Sequence, residues 1–210
     1  MAAHARERIL EELAEISPHT THVRGRSIAV LLPCYNEAAT VGEVVAQFRR
    51  CLPGAAIYVY DNNSTDATYD IALAAGAIVR RERLQGKGNV VRRMLADIDA
   101  DVYVLADGDL TYRADAAGRL IDELVTQNLD LVVGVRNGAD GAYPPGHVFG
   151  NLMFNKIVQT LFGTGFTDIL SGYRVMSRRF AKSFPAASSG FEIETELTIH
   201  ALEQIGRAHV

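Results

Sequence analysis

A chain of 210 residues, 48% hydrophobic and 22% charged, carries enough apolar material for one good core, so a single main domain is the default. Its net charge of −4 argues against a general nucleic-acid binder, yet leaves room for an anionic small substrate held by a few local cations. The two cysteines, Cys34 and Cys51, show no metal spacing and point to a reducing cytoplasm; no secretory signal and no apolar run near the roughly 20 residues of a membrane span is found.

Residues 4–16 (HARERILEELAEI) place Ile9, Leu10, Leu13 and Ile16 on one helical stripe. The polar face is mixed and acidic, which suits packing against a domain better than binding an anionic lipid surface. Residues 19–26 read as a linker, so a helix and linker (1–26) precede the main domain (27–204). Residues 27–33 (SIAVLLP) form an apolar run of strand length, as expected of a strand buried on both faces. The turn PCYNE follows; Thr40 is placed as an N-cap, with Val41, Val44, Val45 and Phe48 on a helical stripe. Residues 56–60 are the second strand, ending in Asp61, and the capping-rich NNSTD starts a helix through Ala75. A short third strand at 77–79 precedes GKGN, which opens a helix to about Ile98.

Residues 102–106 (VYVLA) are the central strand, ending in Asp107-Gly108-Asp109. A helix at 114–127 and a strand at 130–135, ended by Arg136, follow. The polar, Gly/Pro-rich stretch 137–146 reads as a lid or substrate loop, 148–162 as a helix, 173–176 as a short strand and 191–202 as a last helix. Residues 205–210 (IGRAHV) match the translation of a common sequencing adapter and are read as a non-native or truncated end. Strand and helix alternate four times, which predicts an α/β fold, a mostly parallel sheet with helices on both faces.

In such a sheet the strand ends share one edge, so PCYNE, DNNSTD and DGD converge on one crevice. Two carboxylates one residue apart suit Mg²⁺ or Mn²⁺ holding a diphosphate, although Asp and Gly are also ordinary turn residues. Asn36, Glu37, Ser64 and Asp66 have helix-starting alternatives, whereas Asp61 lies too far from the helix to cap it. Glu192 and Glu196 share a helix face, and Glu194 points away as part of a solvated acidic stripe. The six histidines show no ligand spacing.

In their order, Pro33-Cys34-Tyr35-Asn36-Glu37, Asp61-Asn62-Asn63-Ser64-Thr65-Asp66, Gly86-Lys87-Gly88-Asn89, Asp107-Gly108-Asp109, and Asp168 with Ser171-Gly172-Tyr173-Arg174 make the chain resemble a family 2 glycosyltransferase over about 27–203. That family has a GT-A (Rossmann-like) fold, is inverting and uses nucleotide-diphosphate sugars. The pattern is most similar to the polyprenyl-phosphate (dolichol-phosphate-like) mannosyl- and glucosyltransferases. The resemblance implies that Pro33, Tyr35 and Glu37 line the nucleoside pocket, that Asp61 accepts from the base, and that Asn63 belongs to the substrate site. Lys87 and its glycines, before a helix N-terminus, would favour phosphate. Asp107 would face the donor and Asp109 the metal, both counted as metal ligands and catalytic groups; the cofactor is Mg²⁺ or Mn²⁺. Arg136 and Arg174 would lie near phosphates, Arg174 and Asp168 being counted as catalytic.

The function so implied is metal-dependent transfer of a hexose from a UDP- or GDP-sugar to a polyprenyl phosphate. A lipid phosphate is already anionic at neutral pH and needs cations rather than a base. The setting is cytoplasmic, with peripheral contact to the inner face of the membrane left open. The alternatives are a soluble transferase acting on a saccharide or small-molecule hydroxyl, which would need a carboxylate base, and a nucleotide-sugar binder without turnover. A nucleotidyltransferase would need a Gly-rich basic loop after the first strand, and PCYNE is not one.

Overall fold

The computed structural model describes residues 25–134 and 171–201 and the backbone of 208–209. Residues 1–24 of the expected helix and linker (1–26), the 137–146 loop, the 148–162 helix, Arg136 and Asp168 lie outside the described residues.

Every residue of Ile28–Cys34 (β1) is buried, because helices cover both faces of the strand. On one face Val30 and Leu32 pack with α1 (Val41–Cys51), α2 (Thr68–Ala74) and α4 (Ala117–Thr126). On the other, Ala29 and Leu31 pack with α3 (Lys87–Asp97), α5 (Arg178–Ser183) and α6 (Ile193–His200). The period-2 alternation of a strand divides the core in this way, and each fully buried Val or Leu contributes about 1.5–3 kcal/mol. Val41, Val44, Val45 and Phe48 are the buried stripe of α1, as their spacing predicts.

The remaining strands are β2 (Ala56–Asp61), β3 (Ile78–Arg81), β4 (Val102–Leu105), β5 (Leu131–Val133), β6 (Arg174–Ser177) and β7 (Ala208–His209). Their order across the sheet is β3-β2-β1-β4-β6-β5-β7. β1 pairs in parallel with β2 and β4, and β2 with β3. Cys34 stands opposite Asp61, and Leu31 opposite Leu105. The tips of β1, β2 and β4 therefore lie on one edge, as the alternation predicts.

β6 runs antiparallel between β4 and β5, so the sheet is mixed but mostly parallel, in keeping with the expected α/β fold. The structure departs from the sequence reading in local detail. The helix at Arg178–Ser183 was not anticipated; it is six residues long, and Ser177 caps it by accepting from the Phe180 N–H. Thr40 makes no side-chain cap, because its hydroxyl is turned back onto the Glu37 carbonyl and carboxylate. Among the described residues no helix is long and apolar enough to cross a membrane.

Candidate active site

The turn after β1 and the turn after β2 are stitched to each other. Ser64 Oγ accepts from the Asn36 N–H at 2.9 Å, and Asn36 Oδ1 accepts from the Thr65 N–H at 2.8 Å. Thr68 Oγ1 accepts from the Glu37 N–H at 2.7 Å, and Asp66 Oδ2 from the Ala38 N–H at 3.1 Å. Ser64, Thr65 and Asp66 of NNSTD thus serve the neighbouring loop, and α2 begins later, at Thr68, with no side-chain cap. Asn36, Asn63 and Leu110, one in each strand-end loop, adopt left-handed φ of 56°, 65° and 64°. Asn tolerates this region, but for Leu110 it is uncommon and marks a sharply constrained turn directly after Asp109.

Above this edge lies a cavity of about 300 Å³. Pro33, Cys34, Tyr35 and Glu37 wall one side and Asp107, Gly108 and Asp109 the floor. Asn62, the 85–87 turn, Val90 and Phe191 close the rest. Six of the anticipated residues, Pro33, Tyr35, Glu37, Lys87, Asp107 and Asp109, meet here. Gly108 is buried, and a Cβ on it would stand 2.6 Å from Cys34 Sγ; the lack of a side chain brings the Asp107–Asp109 turn down onto β1.

Lys87 Nζ bridges two carboxylates, Asp107 Oδ1 at 2.5 Å and Glu194 Oε1 at 2.6 Å. Burial alone would lower the Lys87 ammonium, but the charges of Asp107 and Glu194 outweigh it and hold the group above its ordinary range. Gly172 backs this trio, since a Cβ there would lie 2.6 Å from Asp107 Oδ2 and 3.1 Å from Glu194 Oε1. Burial also pushes the Glu37 carboxyl up; the Thr40 hydroxyl pulls it back, and the charges of Asp109 and Asp107 push it up again. The Cys34 thiol is driven up by its burial and by the nearby charges of Glu37, Asp107, Asp61 and Asp109. The site is strongly acidic, with Lys87 the one cation among the described residues that line it.

Four expectations are corrected. Glu194 is not a solvated residue: it is 8% exposed and is the second partner of Lys87. Arg174 is fully buried behind the wall, where Nε donates to the Ser171 carbonyl and Nη1 to Thr198 Oγ1. Thr198 in turn donates to the Glu194 carbonyl at 3.1 Å, so Arg174 braces α6 and is not placed to touch a phosphate in the cavity. The N-terminus of α3 is not open to an anion, because the Ser189 carbonyl accepts from the Gly88 and Asn89 N–H groups. Gly86 and Gly88 permit this approach, as a Cβ on either would stand 2.2–2.3 Å from the carbonyls of Ser189 and Ser188. Asp61, 2% exposed, does have a local duty: Oδ1 accepts from the Ser64 N–H, and Oδ2 lies 3.8 Å from Arg81 Nε.

Asn63 is exposed and does not itself line the cavity; its Nδ2 donates to the Arg83 carbonyl and to Oε1 of Gln85, a lining residue. Sequence reasoning missed Asn62, Phe191 and Glu194 as members of the site. The signal for Glu194 lay in its place on the same helix as an apolar core face.

As a donor set, Asp107 and Asp109 fit a small hard divalent cation in one particular way. Among the described residues no group of three His, Cys, Asp or Glu could enclose a metal ion. Mg²⁺ and Mn²⁺ are commonly held by one or two carboxylates with the rest of the shell from substrate phosphates and water, and an exposed Asp109 beside an open cavity suits that.

Comparison with known proteins places these features. Protein RfbJ of Shigella flexneri is 50% identical over 123 residues, 58% of this chain and 95% of that protein. Glycosyltransferase AglJ of Haloferax volcanii is 36% identical over 182 residues, 85% of this chain and 59% of AglJ. A dolichyl-phosphate hexose transferase of the same organism is 32% identical over 153 residues, 72% of this chain and 66% of the relative. The chain thus spans less than two thirds of these two archaeal relatives. Among solved structures, glucosyl-3-phosphoglycerate synthase of Mycobacterium tuberculosis with Mn²⁺, uridine diphosphate and glucosyl-3-phosphoglycerate superposes with a TM-score of 0.78 at 26% identity, over 92% of this chain and 72% of that one. The sheet is accordingly of the GT-A type. The family model described as glycosyl transferase family 2 matches residues 29–184. The chain belongs to glycosyl transferase family 2, a family of enzymes.

Proposed function

We propose that this protein transfers a hexose, with inversion, from a nucleotide-diphosphate sugar to a polyprenyl phosphate, and that it does so with a divalent cation. The observation that supports this best is the acidic cavity in which Glu37, Asp107 and Asp109 face a single lysine already shared by two carboxylates. A diphosphate entering such a site meets like charge on every side unless a cation comes with it. Bound there by Asp109, with Asp107 beside it, Mg²⁺ or Mn²⁺ would supply Lewis-acid stabilisation of the departing diphosphate.

The chain's own residues then have separate tasks. Tyr35, half exposed at the mouth, and Pro33 offer flat apolar surface to a nucleoside, and Glu37 accepts from ribose hydroxyls. Lys87 holds Asp107 in one orientation and offers its ammonium to the donor. Asp61, beneath the wall, orders the loop that meets the base. UDP is the nucleotide favoured by the complexes of the mycobacterial synthase. The polyprenyl phosphate acceptor draws on the dolichyl-phosphate hexose transferase among the relatives. We place the reaction at the cytoplasmic face of a membrane and the catalytic unit within residues 27–204.

A second acceptor is favoured by one specific finding, the resemblance to a synthase whose structure was determined with phosphoglyceric acid. Labelled UDP-glucose, UDP-galactose and GDP-mannose offered with a polyprenyl phosphate in detergent, or with 3-phosphoglycerate, separate the two. Label passing into organic solvent only when Mn²⁺ or Mg²⁺ is present is the expected result. A new labelled anion, resolved from the donor by anion exchange and formed only with 3-phosphoglycerate, selects the second acceptor, and donor binding without transfer to either overturns the proposal.

A further inference from the structure

Lys87 reaches the cavity from the first position of α3, directly after the 82–86 turn, and the hold on that turn comes from outside it. Asn62, at the end of β2, is 3% exposed. Its Nδ2 donates to the Glu82 carbonyl at 2.9 Å and to the Leu84 carbonyl at 2.8 Å. Its Oδ1 accepts from the Gly86 N–H at 2.7 Å and from Gln85 Nε2 at 3.3 Å. Two donors and two lone pairs are the whole capacity of a side-chain amide, and all four partners lie in residues 82–86. The Asn62 backbone N–H donates to the Cys34 carbonyl at 2.9 Å, so the same residue is pinned to β1.

We infer that Asn62 is a positioning residue: it sets the 82–86 turn, and through it Lys87, against the floor of the donor site. This rests on the glycosyltransferase function proposed above. Asn62 borders the cavity, yet its side-chain amide is fully committed to the turn, so its influence on a donor passes through what the turn carries. Between the Asn62 contact and Lys87 stands Gly86 at φ 126°, a conformation that an unsupported turn would leave readily. Beyond it, Lys87 Nζ must meet two carboxylates at 2.5 and 2.6 Å, which leaves little tolerance for displacement. An aspartate could not replace Asn62, because the Glu82 and Leu84 carbonyls both need donors. A serine could satisfy at most one of them.

The test is a double-mutant cycle on the full chain, read as UDP affinity in Mn²⁺ by calorimetry. Asn62→Ala is expected to weaken UDP about 10- to 100-fold, the usual scale for a displaced binding group. Lys87→Ala should cost a similar factor, and adding Asn62→Ala to it should cost almost nothing further. Losses that multiply in the double variant overturn the inference.

A second measurement needs no nucleotide: acylation of the Lys87 amine, followed by mass spectrometry in wild type and in Asn62→Ser, which keeps an acceptor for the Gly86 N–H. Faster modification of Lys87 in the folded variant supports the role, and an unchanged rate overturns it. Loss of the folded state in both variants also overturns it, since a positioning residue must be separable from the fold. If the wild type binds neither UDP nor GDP, the proposed function fails, and Lys87 reactivity still judges the hold of Asn62.

Discussion

Gly108→Ala tests how closely the carboxylate turn is seated on β1. The added Cβ would lie 2.6 Å from Cys34 Sγ, about 1 Å inside the ordinary contact distance of roughly 3.5–4.0 Å. The sulfur has little room to retreat, since Cys34 is 2% exposed and its backbone is paired with Asp61 of β2. The strain must pass to the Asp107–Asp109 turn, and over-packing of this kind costs about 1–3 kcal/mol. Urea unfolding of the wild type, Gly108→Ala, Cys34→Ala and the double variant measures it. Cys34→Ala alone should cost about 1–2 kcal/mol for the cavity it leaves, yet it removes the atom that the new methyl meets. The double variant should therefore be more stable than the sum of the single losses by about 1–2 kcal/mol. UDP-dependent thermal protection in Mn²⁺ should be lost in Gly108→Ala and partly restored in the double variant. An equal penalty for Gly108→Ala in both backgrounds would refute the seating of the turn on the sulfur.

Asp109→Ala is expected to abolish the metal-dependent part of the UDP thermal shift with little change in the melting temperature of the free protein, because Asp109 is exposed and, among the described residues, its side chain bonds only to the Thr111 N–H. A metal-dependent shift that survives would remove Asp109 as a ligand. Lys87→Met breaks a largely buried pairing with Asp107 and Glu194 and should destabilise by about 3 kcal/mol in urea unfolding at pH 7. Burial lowers this ammonium but its two carboxylates raise it further, so its folded value lies above 10.5. Its contribution is then full below 10.5 and is lost as pH rises through that higher folded value, so the gap to the variant should stay flat from pH 7 to about pH 10 and close above 10.5. A gap that closes near neutrality would show that Lys87 is not held as described. Iodoacetamide at pH 8 should label exposed Cys51 and spare Cys34 until the protein unfolds, since burial and four nearby carboxylates oppose the Cys34 thiolate; equal labelling in mass spectra would contradict the buried position.

Much of the fold was legible because its signals are periodic. The apolar run of β1 could only be a strand buried on both faces, and the Val41–Phe48 stripe falls on the core side of α1. The convergence of PCYNE, DNNSTD and DGD followed from parallel strands sharing an edge. What stayed hidden depends on contacts distant in sequence. β6 inserts antiparallel beside β4 from some 70 residues downstream, and no local pattern announces which strand it will join. Glu194 was misassigned because its partner, Lys87, is 107 residues away, and a glutamate on a helix looks solvated until the opposing lysine is known. The glycines around Lys87 were legible as a close approach, but to the backbone at 188–189 rather than to a phosphate. Arg174 could not be told from a phosphate-binding arginine by sequence, since both occupy strand termini and only burial separates them.

The charge pattern orders these pieces into a chain of dependence. Glu37, Asp107 and Asp109 line a small cavity with one ammonium among the described lining residues, and that ammonium is spoken for twice, by Asp107 and by Glu194 behind it. Two unit charges 4 Å apart in a medium of effective dielectric 20 interact by about 4 kcal/mol, so an added diphosphate cannot be accommodated by Lys87 alone. The lysine does something that a free cation could not do: it fixes Asp107 relative to Asp109 before any donor arrives. Arg174 and Thr198 hold α6 where Glu194 can share that lysine, Asn62 holds the turn that carries it, and Gly172 leaves the trio room to close. On the proposed function, the protein orders its carboxylates and leaves the neutralising charge to be delivered with the substrate. An acidic pocket with its lysine already paired has the electrostatics of a site for a metal–diphosphate complex, not for a bare anion.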